Sequence, residues 1–145
     1  MQTIATSVDD SFQRMRDKLE AEKVRPHHAM DPYFYRSHLV HEQELEHLIF
    51  KSWIYALHVS EIPSVGDYQL IEIGAASIIV ARTETDEIAA MHNICRHRGA
   101  RVCEASSGNR KTYVCPYHGW VYNIDGSLKV ARETHVMPDF DASAH

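Results

Sequence analysis

Apolar positions near the N-terminus recur at helical spacing, whereas those further along fall in short runs broken by turn residues. Val8, Phe12, Met15 and Leu19 lie three or four residues apart and predict one amphipathic helix over residues 7–23, with Ser7 and Asp10 as a capping pair. Pro26 and Pro32 interrupt regular structure, so residues 25–36 read as a linker. A second helix is expected over 42–53, where Leu45, Leu48, Ile49 and Phe50 supply an apolar face. From Trp53 onward the texture changes. β-prone runs at 54–59, 68–73, 77–82, 88–93, 112–114 and 121–123 alternate with turn signals at 63–67, Gly74, 83–86, Gly108 and Asp125-Gly126. The pattern predicts a mainly β, antiparallel unit preceded by one or two helices. No internal repeat or low-complexity tract is visible.

Composition narrows the class. A chain of 145 residues is the size of one domain, and such a domain buries roughly 70% of its unfolded surface. The net charge of −5, with histidines neutral, excludes the broad cationic surface that nucleic-acid binding requires. No apolar run approaches the about 20 residues that span a bilayer, and the N-terminus lacks a basic segment followed by an apolar one. The expected setting is therefore cytoplasmic, without membrane or nucleic acid as partner. The three cysteines cannot all pair, and without a secretory signal they point to metal binding or catalysis rather than a disulfide framework.

All three cysteines fall in one stretch, CRHRGARVCEASSGNRKTYVCPYHGW, residues 95–120. It holds two short clips, Cys95-x-His97 and Cys115-x-x-His118, separated by seventeen residues. Each clip places a thiolate and an imidazole on one tight loop, and the run 112–114 carries the second back toward the first. Two soft thiolates and two imidazoles suit tetrahedral zinc or an iron–sulfur cluster. Zinc fingers usually take both cysteines from one knuckle and both histidines from a helix. Here each loop contributes one of each, an order that fits a two-iron cluster with Cys95 and Cys115 on one iron and His97 and His118 on the other. Gly99 and Gly119 follow the histidines, where a side chain is expected to obstruct approach of the backbone to the cluster. Pro116 stiffens the second loop.

Cys95-Arg-His-Arg-Gly and Cys115-Pro-Tyr-His-Gly-Trp resemble the Rieske motif, in the form found in the α-subunits of Rieske non-haem iron (aromatic-ring-hydroxylating) oxygenases. The resemblance spans residues 31–141 and includes IFKSWIYALHVSEIPSVGDYQLIEIG before the motif and YNIDGSL after it. It implies a Rieske-type β-sandwich over 37–135 with two cluster-binding loops, a helix and linker over 1–36, and a connection beginning at 136–145. Rieske proteins of bc complexes carry an extra cysteine in each loop and a serine after the second His-Gly. Ala100, Tyr117 and Trp120 stand there instead, which favours a potential of roughly −150 mV over the upper limit near +300 mV.

The implied chemistry is one-electron transfer, with ferredoxin or a flavin reductase as donor. The outer nitrogens of His97 and His118, if exposed, can titrate with redox state and act as the electron exit. Arg96, Arg98, Arg101, Arg110 and Lys111 concentrate positive charge around the site, opposed only by Glu104, and are expected to stabilise the reduced state or receive an acidic partner. In the resembled family a mononuclear Fe(II), held by two histidines and a carboxylate in a C-terminal domain, acts on the substrate. That domain is expected to begin about where this sequence ends, so oxygenase neighbours or a catalytic domain are further expected partners, and this chain by itself is not expected to hydroxylate. A stand-alone Rieske-type ferredoxin and an assembly module without redox duty are the alternative functions.

The remaining candidates read as structural. Glu44-x-x-His47 has the spacing of half a di-iron motif but reads as an exposed helix face. His27, His28, His38, His41, His58, His92, His135 and His145 read as surface or packed residues, and Cys103 as a small buried apolar one. Tyr117 and Trp120 are expected to shield the cluster from water.

Overall fold

The computed structural model describes residues 10–25, 27–134 and 139–141. Ser7, Val8, Pro26, His135 and His145, named above, lie outside them. The chain divides into two compact units, Met1–Tyr55 and Ala56–His145. Among the described residues no helix is long and apolar enough to cross a membrane.

In the first unit α1 covers Phe12–Lys23 and is capped by Ser11, whose side chain accepts from the Arg14 N–H at 3.2 Å. The cap is thus Ser11, not the Ser7 and Asp10 pair. Asp10 serves elsewhere: it accepts from the Leu39 N–H at 3.0 Å, from the Tyr33 hydroxyl at 3.1 Å and from the Ser37 hydroxyl. The expected linker contains a 3-10 turn, Pro32–Tyr35, whose Tyr33 is buried. The second helix, α2, runs over His38–His47, earlier than 42–53. Ser37 starts it by accepting from the Val40 N–H. Beyond it Ile49–Lys51 tighten into a 3-10 turn, and the Ser52 hydroxyl takes the Leu48 carbonyl at 2.7 Å.

The described strands of the second unit pair antiparallel. β1 (Asp67–Ile73), β2 (Ala76–Arg82), β3 (Ile88–His92) and β4 (Ser107–Asn109) form one sheet in the order β3-β2-β1-β4. β5 (Thr112–Val114), β6 (Val121–Asn123) and β7 (Leu128–Val130) form a second, in that order. Five of the six expected runs are strands. The run at 54–59 is not: His58 caps a 3-10 turn over Val59–Glu61, its ring accepting from the Ser60 N–H while Glu61 accepts from the His58 N–H at 2.7 Å. This local pairing of polar side chains with backbone outcompetes the strand propensity of the apolar run.

Two strands escaped the pattern. β7 follows a tight hairpin at Asp125-Gly126, with Gly126 at φ 91°. β4 is Ser-Gly-Asn and becomes a strand only because it pairs with Asp67, Tyr68 and Gln69 of β1. Gly108 therefore lies within a strand rather than a turn. A Cβ there would sit 3.2 Å from the Tyr68 ring, tighter than the aromatic face allows without a shift.

The core joins both sheets. Tyr68, Ile79 and Ala81 of the first meet Tyr113 and Tyr122 of the second, together with Ile124 just after β6, Cys95, Cys103, Cys115 and Trp120. The sulfurs of both clips are thus embedded where the two sheets meet, among buried aromatics that each remove roughly 150–250 Å² from water.

Candidate metal centre

Each clip occupies a loop of the same frame. The first follows β3; the second links β5 to β6. In the first, the Cys95 N–H donates to Ala100 O at 2.7 Å and the Gly99 N–H to Cys95 O at 2.9 Å. In the second, the Cys115 N–H donates to Trp120 O at 2.8 Å and the Gly119 N–H to Cys115 O at 3.0 Å. The glycine falls four residues after the cysteine both times, at φ 74° and 71°. The left-handed turn calls for glycine at both positions, and among protein atoms only the Arg132 side chain comes within 4 Å of a Cβ placed at Gly119.

The loops bring Cys95, His97, Cys115 and His118 together. Both cysteines are buried, and the two imidazole rings lie 4.6 Å apart, centroid to centroid, at 66°. The Nδ1 atoms of His97 and His118 are buried and have no hydrogen-bond partner. Such atoms carry a desolvation penalty unless something binds them, and two unpaired ring nitrogens beside two buried thiols are a donor set for a metal cluster. Among the described residues no group of three or more His, Cys, Asp or Glu side chains is already arranged around a single ion position.

Electrostatics prepare both donor types. Burial opposes ionisation of the Cys95 thiol, but the Tyr122 hydroxyl, the His97 N–H, the Cys115 thiol and the Arg98 N–H outweigh it and leave the pKa lowered. Burial also lowers the His97 pKa, and the neighbouring His118 and Arg98 act in the same direction against Glu133, so the neutral imidazole is favoured. The rings are held by aromatics: Trp120, 2% exposed, stacks on His97 at 4.9 Å and 9°, and Tyr117, 60% exposed, stacks on His118 at 3.8 Å and 29°. Trp120 thus covers its histidine, while Tyr117 presents an aromatic face to the surface. The Trp120 indole donates to Arg132 O at 3.3 Å, and Phe140 packs edge-on against the same ring.

Two contributors were not legible in the sequence. Tyr122 places its hydroxyl 3.2 Å from Cys95 Sγ and accepts from the Arg96 N–H at 3.0 Å. Asn93, two residues before Cys95, is completely buried. Neither stands in a clip, and only the register of β6 and the end of β3 bring them to the site. The basic cluster also divides. Arg101 is paired with Glu72 at 2.9 Å, and Arg110 reaches the Tyr68 hydroxyl at 3.4 Å, so both are committed. Arg96 and Arg98 are exposed beside the clips and, among the described residues, make no ion pair. Cys103 is buried, and Glu44 and His47 lie exposed on α2.

A family model described as "Rieske [2Fe-2S] domain" matches residues 52–141. A glycine betaine monooxygenase oxygenase subunit of Chromohalobacter salexigens is 37% identical over 149 aligned positions, covering all of this chain and 33% of that protein. A naphthalene 1,2-dioxygenase from Rhodococcus sp., solved with indole bound, superposes with a TM-score of 0.75 at 36% identity, over 83% of this chain and 28% of that one. A quaternary ammonium Rieske monooxygenase, whose structure was reported for carnitine oxidation and inter-subunit electron transfer, gives a TM-score of 0.71 at 34% identity over 77% and 31%. The chain thus spans about a third or less of the length of these relatives. Paired Cys/His loops at the meeting of two antiparallel sheets, carried on a sequence matched over most of that unit, have one family in common: this chain belongs to the Rieske [2Fe-2S] domain family and represents the electron-transfer domain of Rieske oxygenase α-subunits.

Proposed function

We propose that Cys95 and Cys115 hold one iron of a Rieske cluster and His97 and His118 the other, through Nδ1. In this role the domain receives single electrons from a ferredoxin or flavin reductase and delivers them to a mononuclear iron outside the described residues. The observation that carries the assignment is the pair of buried, partnerless Nδ1 atoms lying beside two buried thiols. When bound, a two-iron cluster of this type supplies a one-electron couple, at roughly −150 mV in loops lacking the extra cysteines and serine.

The chain's own residues perform the remaining work. Tyr122 steadies the Cys95 sulfur with its hydroxyl and excludes water from it. Trp120 and Tyr117 fix the ring planes of the two histidines. Arg96 and Arg98 offer positive charge to an acidic electron donor beside the same loops.

Iron and acid-labile sulfide analysis tests the assignment, with two of each per chain expected together with a Rieske-type EPR signal on reduction. Cys115→Ser and His118→Ala are each expected to abolish that signal, and its persistence in either variant overturns the ligand set. Substrate turnover separates the roles. Reduction by a ferredoxin without oxygen-dependent product from this chain supports an electron-transfer part, whereas product formed by this chain alone overturns it.

A further inference from the structure

We infer that Asn93 is a positioning residue for the first loop, joining it to the sheet through a row of polar groups that crosses β1, β2 and the end of β3. The inference rests on the assignment of Cys95 and His97 as ligands. A completely buried primary amide is costly unless its hydrogen-bonding capacity is used, and Asn93 uses all of it. Its Nδ2 donates to Ser77 Oγ at 3.1 Å and to Cys103 O at 2.6 Å. Its Oδ1 accepts from the Val102 N–H at 3.1 Å and the Cys103 N–H at 2.9 Å. Its own N–H donates to Ser77 O at 2.8 Å, continuing the β2–β3 ladder past the end of β3.

The row continues outward. The Ser77 hydroxyl donates to Glu72 Oε1 at 2.9 Å, and Glu72 stands directly opposite Ser77 on β1. Glu72 in turn receives the Arg101 guanidinium at 2.9 and 3.4 Å. Three consecutive residues of the returning limb, Arg101, Val102 and Cys103, are therefore tied to one row of the sheet.

The topology explains why this loop needs such a clamp and the second does not. The Cys115 loop closes a hairpin, and Val114 pairs with Val121 across its base. The Cys95 loop leaves β3, which pairs with β2, and leads to β4, which pairs with β1, so its two ends have no ladder in common. Outside the Cys95–Ala100 bond within the loop, Asn93 joins the two limbs where no strand ladder does. It brackets Cys95 and His97 between itself and Val102–Cys103 and so fixes where the first clip stands relative to the second. Asp at this position lacks the two amide donors, and Ala keeps only the backbone bond to Ser77 and loses all four side-chain bonds.

The test uses the full chain loaded with iron and sulfide and compares Asn93→Ala, Ser77→Ala and the core control Ile79→Ala. The readouts are the reduced-state EPR g-values and linewidth, the midpoint potential, the rate of iron release to a chelator, and the melting temperature. Asn93→Ala is expected to shift and broaden the signal and to speed iron release about tenfold, the factor that loss of one or two net hydrogen bonds implies. Ser77→Ala is expected to move the same readouts in the same direction by less. Ile79→Ala is expected to lower the melting temperature while leaving the EPR signal as in the unaltered chain. An unaltered signal and release rate in Asn93→Ala overturn the inference, and so does an equal spectral change in Ile79→Ala. Should Asn93→Ala not fold, Ser77→Ala decides alone: a changed spectrum supports the clamp and an unchanged one overturns it. The ligand assignment fails separately, if Cys95→Ser or His97→Ala keeps the original signal.

Discussion

Tyr122 performs two tasks with one hydroxyl, bonding the Cys95 sulfur and capping the Arg96 N–H. Removing a donor from a ligating thiolate disfavours the more negative, reduced state, so Tyr122→Phe is expected to lower the midpoint potential by on the order of 50 mV, measured by voltammetry. It also takes the partner from the part-buried Arg96 N–H, with a stability loss of about 1 kcal/mol in denaturant unfolding. The two loop glycines make a different demand. At φ 74° Gly99 occupies the left-handed region, so Gly99→Ala is expected to destabilise by ~1 kcal/mol through backbone conformation, and Gly99→Asn by less, because Asn tolerates that region. Chemical unfolding of the two variants checks the order. The four proposed ligands were visible as residue types at fixed spacing, because short-range clips need little tertiary help. Tyr122 and Asn93 were not, since a tyrosine in a short strand and an asparagine after one have no distinguishing local pattern.

Elements show where local propensity yields to partners. The strands over β1, β2 and β3 match their apolar runs closely because those runs line a core, whereas β4, made of Ser-Gly-Asn, exists through pairing with β1. Asp67 joins these two strands at the β1 end. The Asn109 amide donates to its carboxylate at 2.8 Å and the Ser64 N–H at 2.8 Å. The Asn109 bond foremost, then the Ser64 N–H, hold the carboxyl below its ordinary 3.8 against the opposing effect of burial, with Arg82 adding a smaller pull. A lowered carboxyl contributes stability that is complete above the unfolded value and is lost as pH falls through the folded one. Asp67→Asn is therefore expected to lower the urea midpoint at pH 7, and the gap to the unaltered chain is expected to close below about pH 4. A gap that persists unchanged into acid would show that the pair contributes nothing through charge. Residues 58–61 make the converse case: a capping pair between His58 and Glu61 turned an apparent strand into a 3-10 turn.

At the scale of the whole molecule, the chain is acidic overall yet places exposed Arg96 and Arg98 beside the clips. Approach of an acidic electron donor to that face is expected to depend on salt. Replacing both arginines by glutamate should slow reduction by a ferredoxin on the order of tenfold at low ionic strength, and the difference should shrink as salt screens it, measured by stopped-flow. Equal rates at all salt concentrations would remove these residues from the encounter. The sequence by itself determined the chemistry and the class: two Cys/His clips with one or two residues between thiol and imidazole, and short alternating runs that can bury only one face as antiparallel strands. Both are local properties, set by residue type and by distances of a few positions along the chain. Only the tertiary structure decided which polar residues serve those clips. The register of β6 brings the Tyr122 hydroxyl to Cys95, the differing partners of β3 and β4 leave a gap that Asn93 closes, and Glu72 removes Arg101 from the free charges. These contacts join residues up to 29 positions apart, and such pairings are settled by packing and hydrogen-bond satisfaction across the sheets rather than by any pattern along the chain.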